Sequence, residues 1–263
     1  MRSAPFSPPD AGQPQTHGPS AAARLRMRKP LFRADWSRAV FIHYEVEPSA
    51  LQQCVPFPLH LREGRAYVSL VAFTLRRLRP RIGGRTGRWL LRPISDHQFL
   101  NVRTYVCAAG EPGIYFLAEW LSTRLAVPLG PICFGLPYRL GKIAYQHQQT
   151  CALAGRVKAG SGEFRYRGEV KPGAPCRPCL AGTLDEFLLE RYTAFTCRGC
   201  RRRFFRVWHE PWPQSPATVV VEAGTLLRRT GLWFREARVI TAHYSPGVED
   251  VWMGPPEALR PAQ

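Results

Sequence analysis

Lysine is scarce in this chain. Only four of its 37 basic residues are lysine, at positions 29, 142, 158 and 171, and the rest are arginine. Long apolar runs are also missing. No stretch approaches the ~18 residues that a membrane-spanning helix needs, so neither a transmembrane helix nor a membrane partner is expected. Arg2 is not followed by an apolar segment, which argues against a secretory signal. No glycine-rich loop opens a helix, no serine sits in a nucleophile elbow, and no H-E-x-x-H string occurs. Nucleotide-dependent, hydrolase and metalloprotease chemistry therefore find no support.

The chain has 263 residues, 45% of them hydrophobic, enough to bury a sizeable core. Residues 1–30 open with a Pro-, Ser-, Ala- and Gly-rich stretch and are expected to form a disordered tail. A folded unit over 31–252 and a flexible tail over 253–263 are expected to follow. The eight cysteines do not read as a disulfide framework, because a core of this size needs none. A reducing cytoplasm suits them. Cys54, Cys107, Cys133 and Cys151 are scattered through apolar stretches as ordinary buried thiols.

The other four are spaced as two C-x-x-C knuckles, Cys176–Cys179 and Cys197–Cys200, with seventeen residues between them. That spacing reads as a structural tetrahedral Zn²⁺ site clipping a lobe over 171–206. A closed shell of four thiolates leaves no position open for catalysis. The alternative is four unrelated cysteines or a redox pair. The formal charge of +18 raises nucleic acid or an acidic protein as partners. The arginines are spread over the whole chain, and clustering is the more useful signal. Arg201-Arg202-Arg203 is the one tight cluster.

Most segments carry the alternation of strands. Phe41–Val46, Ala66–Leu78, Phe99–Cys107 and Ile114–Leu121 read as long strands. Arg139–Gln148, Cys151–Val157 and Glu163–Val170 read as a meander. Arg203–Val207, Ala217–Glu222 and Val239–Tyr244 follow. A short helix is expected over Ala50–Cys54, a broken one over Leu125–Phe134, and another from Leu184 to about Arg191, capped by Thr183 with Glu186 three residues on. Residues 80–95 read as a mobile Arg- and Gly-rich loop. Many strands, few short helices and no βαβ rhythm predict a β-rich α+β fold, an antiparallel barrel or sandwich with peripheral helices.

Several strings carry a resemblance. They are Phe99-Leu100-Asn101-Val102-Arg103-Thr104-Tyr105-Val106, Phe134-Gly135-Leu136-Pro137-Tyr138, Gly182-Thr183-Leu184-Asp185-Glu186-Phe187-Leu188 with Glu190-Arg191-Tyr192, Trp208-His209-Glu210-Pro211-Trp212-Pro213, and Tyr244-Ser245-Pro246-Gly247-Val248. Together they resemble the YqjF-like family of uncharacterised bacterial proteins, DUF2071, within the acetoacetate decarboxylase-like superfamily. The resemblance covers about 31–252. It implies a single antiparallel β-barrel or cone around a ligand cavity. The decarboxylases form a Schiff base through a lysine pair in a Pro-Lys-Lys-Leu-Gly string. Here Pro137-Tyr138-Arg139-Leu140-Gly141 stands in its place. Tyrosine offers no amine, and arginine does not deprotonate. Lys142 would lie about 13 Å along the strand from Tyr138, too far to substitute.

The candidate ligand-binding residues are Asn101, Arg103, Tyr105, Tyr138 and Arg139. Asn101, Arg103 and Tyr105 alternate on one strand, with Val102, Thr104 and Val106 opposite. Alternation alone allows either face to point inward, and the resemblance favours the polar one. Glu119, a carboxylate in an apolar strand, and His209, between two tryptophans, are the candidate acid–base residues. His209 equally suits a Pro-rich corner where it bonds to backbone. The expected function is binding of a small anionic or carbonyl-bearing molecule, with no organic cofactor and no lysine chemistry. The alternative is a zinc-clipped, arginine-rich module that binds nucleic acid or an acidic partner.

Overall fold

The computed structural model describes residues 29–147, 152–199 and 201–259. Strands β1 (Phe32–Val46), β2 (Ala66–Pro80), β3 (His97–Ala108) and β4 (Glu111–Leu121) form an antiparallel meander. The short β5 (Tyr138–Leu140) lies parallel to the end of β4. β6 (Lys142–Gln146), β7 (Ala152–Ala159) and β8 (Gly162–Val170) form a second meander. The hairpin β9 (Thr193–Arg198) and β10 (Arg201–Trp208) precedes β11 (Ser215–Gly224), β12 (Arg238–Met253) and β13 (Glu257–Ala258). Three short α-helices accompany them: α1 (Pro48–Gln52), α2 (Gly84–Leu91) and α3 (Leu184–Leu189).

Seven strands close on themselves in the order β1-β2-β3-β4-β9-β10-β12. The result is a ring-like cone. Two parallel pairings, β4 with β9 and β4 with β5, depart from the expected purely antiparallel sheet. The remaining strands continue from β12 through β11, β8, β7 and β6 and fold back over the ring's outer face. Tyr145 on β6 donates from its hydroxyl to the Phe99 carbonyl on β3 at 2.8 Å.

Both faces of the ring wall are therefore buried, and its strands read apolar on both sides. Phe41, Val71, Phe73 and Phe99 point inward to one core. Their neighbours Val40, Ile42, Leu70, Ala72, Leu100 and Val102 point outward to a second core, shared with Leu153, Val157, Phe164 and Tyr166 of the covering layer. A single change of register would exchange the two sets.

One end of the ring is plugged by α3. Thr183 caps this helix as expected, accepting from the Glu186 N–H at 3.3 Å, while Glu186 reaches back to the Gly182 N–H at 2.6 Å. The helix stops at Leu189, short of Arg191. At the other end lie α2 and the segment 124–137. Residues 84–91, expected within a loop, are helical. β4 pairs with β9 only through Ile114 and Tyr115, and with β5 only from Glu119 onward. Phe134 and Leu136 join the inner core here. The segment's backbone bonds are local: Ile132 N–H to the Pro128 carbonyl and Leu136 N–H to the Gly130 carbonyl, each 3.2 Å.

β12 runs much further than the expected 239–244, and β13 pairs with Arg203 and Phe204 of β10, so 253–259 is not a free tail. β12 continues past Pro246 because Gly247 takes φ +125°. A Cβ at Gly247 would lie 2.1 Å from the Trp36 carbonyl oxygen. Gly247→Ala is expected to lower the unfolding free energy by about 2 kcal/mol or more. Urea denaturation should show this as a reduced midpoint at unchanged slope.

Candidate functional site

The ring encloses a cavity of about 70 Å³, several times the ~15 Å³ that admits one water molecule. Its walls are mostly aromatic and aliphatic, with Trp36, Phe73, Phe99, Phe116 and Phe134 among them. Seven polar or charged side chains interrupt them: Asn101, Arg103, Glu119, Tyr138, Arg191, Thr193 and His209.

Strand pairing explains how three of these meet. Asn101 on β3 is the register partner of Glu119 on β4, and Glu119 is the partner of Tyr138 on β5. Register partners share a face, so an amide, a carboxyl and a phenol form one row across three strands. Arg103 sits two residues along β3, and a bulge between Val102 and Arg103 interrupts the ladder there. Gly130 makes room for the phenol: a Cβ on it would lie 2.4 Å from the Tyr138 ring.

The row is buried and short of partners. Glu119 is 2% exposed, and its Oε2 has no hydrogen-bond partner. Burial pushes its carboxyl well above the usual range, which favours the protonated form. Burial, then the neighbouring Glu119, raise the Tyr138 phenol as well. Asn101 Oδ1 and Arg103 Nε are also buried without partners. Arg103 donates from Nη2 to the Leu188 carbonyl of α3 at 2.9 Å and lies 5.8 Å from the Phe41 ring centroid.

Arg191 was not among the candidates read from sequence. It follows the early end of α3, bonds through Nη1 to the Glu190 carbonyl at 3.0 Å, and leaves Nε and Nη2 unpartnered. Its guanidinium lies 4.3 Å from the Phe187 ring centroid. Burial brings its pKa down to about 10, which leaves it cationic at neutral pH. The signal available in sequence was an arginine among apolar residues just after a capped helix.

Tyr105 does not line the cavity. Its hydroxyl donates to the Leu188 carbonyl at 2.7 Å and meets the Ser69 hydroxyl, so it braces α3 from below. Arg139 points away from the cavity, as alternation demands, and lies 5.8 Å from the Trp120 ring centroid. His209 lines the cavity and also occupies the corner expected for it. Its Nδ1 donates to the Glu210 carbonyl at 2.7 Å, and the rings of Trp36, Trp212 and Tyr192 surround it. Burial lowers its pKa to about 4, so the ring is neutral at pH 7. All four lysines are exposed, and none lines the cavity.

The zinc expectation is not supported by the described residues. Cys200 lies outside them. Among the described residues, no three His, Cys, Asp or Glu side chains gather as a metal site. Cys179 packs into the inner core, while Cys197 on β9 packs against the outer one. Burial, followed by the charges of Glu190, Asp185 and Glu186, pushes the Cys179 thiol up to about 12. Arg201, Arg202 and Arg203 lie on a strand, so successive side chains take opposite faces. Arg202 lies 5.4 Å from the Phe57 ring centroid.

Glu119 carries a stability cost with a definite sign. Its folded pKa exceeds the ordinary value of 4.5, so above pH 4.5 the unfolded chain releases the proton more readily and stability falls as pH rises. His97, His147 and His209, each lowered to about 4 from 6.5, act oppositely: their contribution is full above 6.5 and fades towards 4. Comparing Glu119→Gln with the parent at each pH cancels the histidines. E119Q is expected to be more stable at pH 8 by about 1 kcal/mol or more, with the gap narrowing towards pH 4.5. Thermal melts followed by circular dichroism test this, and a parent at least as stable as E119Q at pH 8 would show Glu119 to be ionised and paired.

Comparison with known proteins adds three kinds of likeness. The chain is 27% identical over 219 residues to "Uncharacterized protein YqjF" of Bacillus subtilis (strain 168), covering 82% of this chain and 87% of that one. Its fold is similar to acetoacetate decarboxylase from Legionella pneumophila, with a TM-score of 0.61 at 15% identity over 89% of both chains. It is also similar to the enduracididine biosynthesis enzyme MppR complexed with pyruvate, with a TM-score of 0.61 at 12% identity over 95% of this chain and 99% of that one. At such identities these two likenesses establish the fold alone. The profile of one family, described as "Uncharacterized conserved protein (COG2071)", matches residues 33–249. With that match running from β1 almost to the end of β12, the chain belongs to the DUF2071 family and has the acetoacetate decarboxylase-like fold.

Proposed function

We propose that the ring binds a small carboxylate-bearing molecule with a carbonyl group, and that any turnover proceeds by proton transfer from Glu119 rather than through an imine. One observation carries this reading. Four side chains lining a single cavity present buried polar atoms without partners: Asn101 Oδ1, Arg103 Nε, Glu119 Oε2, and Arg191 Nε and Nη2. Buried polar groups are normally hydrogen-bonded, and leaving one unsatisfied costs about 1–3 kcal/mol. Several in one cavity mark a place where a guest completes the bonding.

The donors and acceptors set the guest's chemistry. Arg103 and Arg191 offer N–H groups and positive charge to a carboxylate. A protonated Glu119 donates to a carbonyl oxygen, and the Tyr138 phenol beside it supplies a second hydroxyl. Glu119 giving its proton to the carbonyl oxygen while the unprotonated Nε2 of the neutral His209 takes an adjacent C–H proton carries the ketone to its enol, and the reverse returns it, so exchange of those C–H protons is the reaction best served. The cavity's size suits a molecule of few non-hydrogen atoms. MppR complexed with pyruvate provides a structural neighbour that binds such a molecule. An imine would require an amine in the cavity, and the lysines are all exposed.

A thermal-shift and calorimetry series of small 2-oxo, 3-oxo and simple carboxylates tests the binding. Stabilisation of about 2.7 kcal/mol is expected at a hundredfold excess over Kd. Arg103→Met should weaken binding at least tenfold, about 1.4 kcal/mol, while alcohols of the same size give no shift. Borohydride added with a bound ketone should leave the protein mass unchanged. A reduced covalent adduct would overturn the lysine-independent reading, and absence of stabilisation by every carboxylate would overturn the binding one.

A further inference from the structure

The end of the ring opposite α3 carries a surface that the cavity does not explain. α2 lies on the end of β2 through Gly87, where a Cβ would lie 2.8 Å from Pro80 Cγ. Successive helical residues step round the axis by about 100°. With Gly87 turned inward, Arg85, Arg88, Trp89 and Arg92 fall on the outward side. Trp89 is 68% exposed, with Leu90 at 63% and Ile82 at 74% beside it. The turn 124–126 packs against the turn 92–94, which adds Arg124 and Leu125, the latter 69% exposed.

The charge here is mostly positive, and Asp96, just beyond, is held by the Arg77 N–H and the Ser95 hydroxyl. Residues 81–95 hold Arg81, Arg85, Arg88 and Arg92 and contain no Asp or Glu. Among the described residues none of these four, nor Arg124, has an ion-pair partner. The carboxylates facing Arg88 and Arg92 across the adjoining groove, Asp35, Glu249 and Asp250, are engaged by Arg33, Arg77 and Arg79.

The geometry points to an interfacial docking surface for an anionic lipid bilayer, with Trp89, Leu90, Ile82 and Leu125 entering the headgroup–acyl boundary and Arg85, Arg88, Arg92 and Arg124 meeting lipid phosphates. The observations separate this occupant from the others. A second copy meeting this surface symmetrically would set arginines against the same arginines with no compensating carboxylate. A nucleic acid would satisfy the guanidinium groups but leave the exposed aliphatic side chains in water. An anionic bilayer takes both kinds of side chain at once, with tryptophan favoured at the boundary. No helix among the described residues is long and apolar enough to cross a membrane, so the contact is one of lying on the surface. It revises the expectation of no membrane partner.

Flotation of the full chain with vesicles tests the proposal. One set contains phosphatidylglycerol and phosphatidylcholine in equal parts, and the other phosphatidylcholine alone. The bound fraction should be at least tenfold greater on the anionic vesicles at roughly 0.1 M salt and should fall steeply at roughly 0.5 M. Trp89→Ser with Leu90→Ser, and separately Arg85→Gln with Arg88→Gln, should each reduce binding at least tenfold without lowering the melting temperature, because these side chains are exposed. Tryptophan emission should shift to the blue on anionic vesicles in the parent and much less in Trp89→Phe. Equal binding to neutral vesicles, no binding at low salt, or binding unaffected by W89S/L90S would overturn the proposal. So would a dimer in sedimentation that the same substitutions dissolve, or tighter capture of a single-stranded oligonucleotide than of anionic vesicles. None of these readouts depends on the cavity, so the two proposals fail independently.

Discussion

The fold depends on a wall buried on both faces. A strand residue in such a wall has two destinations, one inside the ring and one outside, and alternation assigns them without exception until a bulge intervenes. Asn101 and Arg103 therefore face the cavity because Leu100, Val102 and Thr104 face the outer layer. Glu119 faces it because Ala118 and Trp120 do not. The covering meander gives this choice its force. Without it the outer apolar set would meet water, and the preference for one register over its neighbour would weaken.

Placing polar groups inside such a ring opposes stability. A buried carboxyl, two guanidinium groups and an amide occupy space that leucine or phenylalanine would fill more favourably. The molecule offsets this with the aromatic shell around them. Trp36 stacks on Trp212, Phe73 on Phe99, and Phe41 meets Trp212 edge-on. The two arginines are separately tied to α3, Arg103 through the Leu188 carbonyl and Arg191 through the ring of Phe187. The plug helix thus orients the cavity's cationic side, and its cap at Thr183 bears on the site as well as on the helix.

Much of this was legible in sequence, and the failures have specific physical causes. The alternation in 99–107, the replacement of the lysine pair at 138–139 and the Thr183 cap all carry their meaning locally. The polar face of β3 did not reveal its direction, because both of its faces are buried. The helix at 84–91 reads as a loop in sequence because its cap and two of its own positions, 83, 84 and 87, are glycine. Gly87 is there for contact with Pro80 rather than for mobility. β12 was cut short at the proline that Gly247 allows it to pass. The cysteine spacing spoke of reach along the chain but not of side-chain direction, and Cys179 and Cys197 pack against different cores. Arg191 was missed because its role depends on where a helix stops.

The wall has a window. Between Tyr115 and Glu119, β4 has no ladder partner on its outer edge, and the Gly130–Pro137 stretch fills the opening with hydrogen bonds that are internal to itself. Closure here is made by packing rather than by a ladder, with Phe134 and Leu136 turned into the inner core. Gly135 sits at φ +77° against Thr196, and the stretch leads into Tyr138. The stretch that closes the wall therefore also sets the phenol beside the buried acid, because its end is the ladder partner of Glu119.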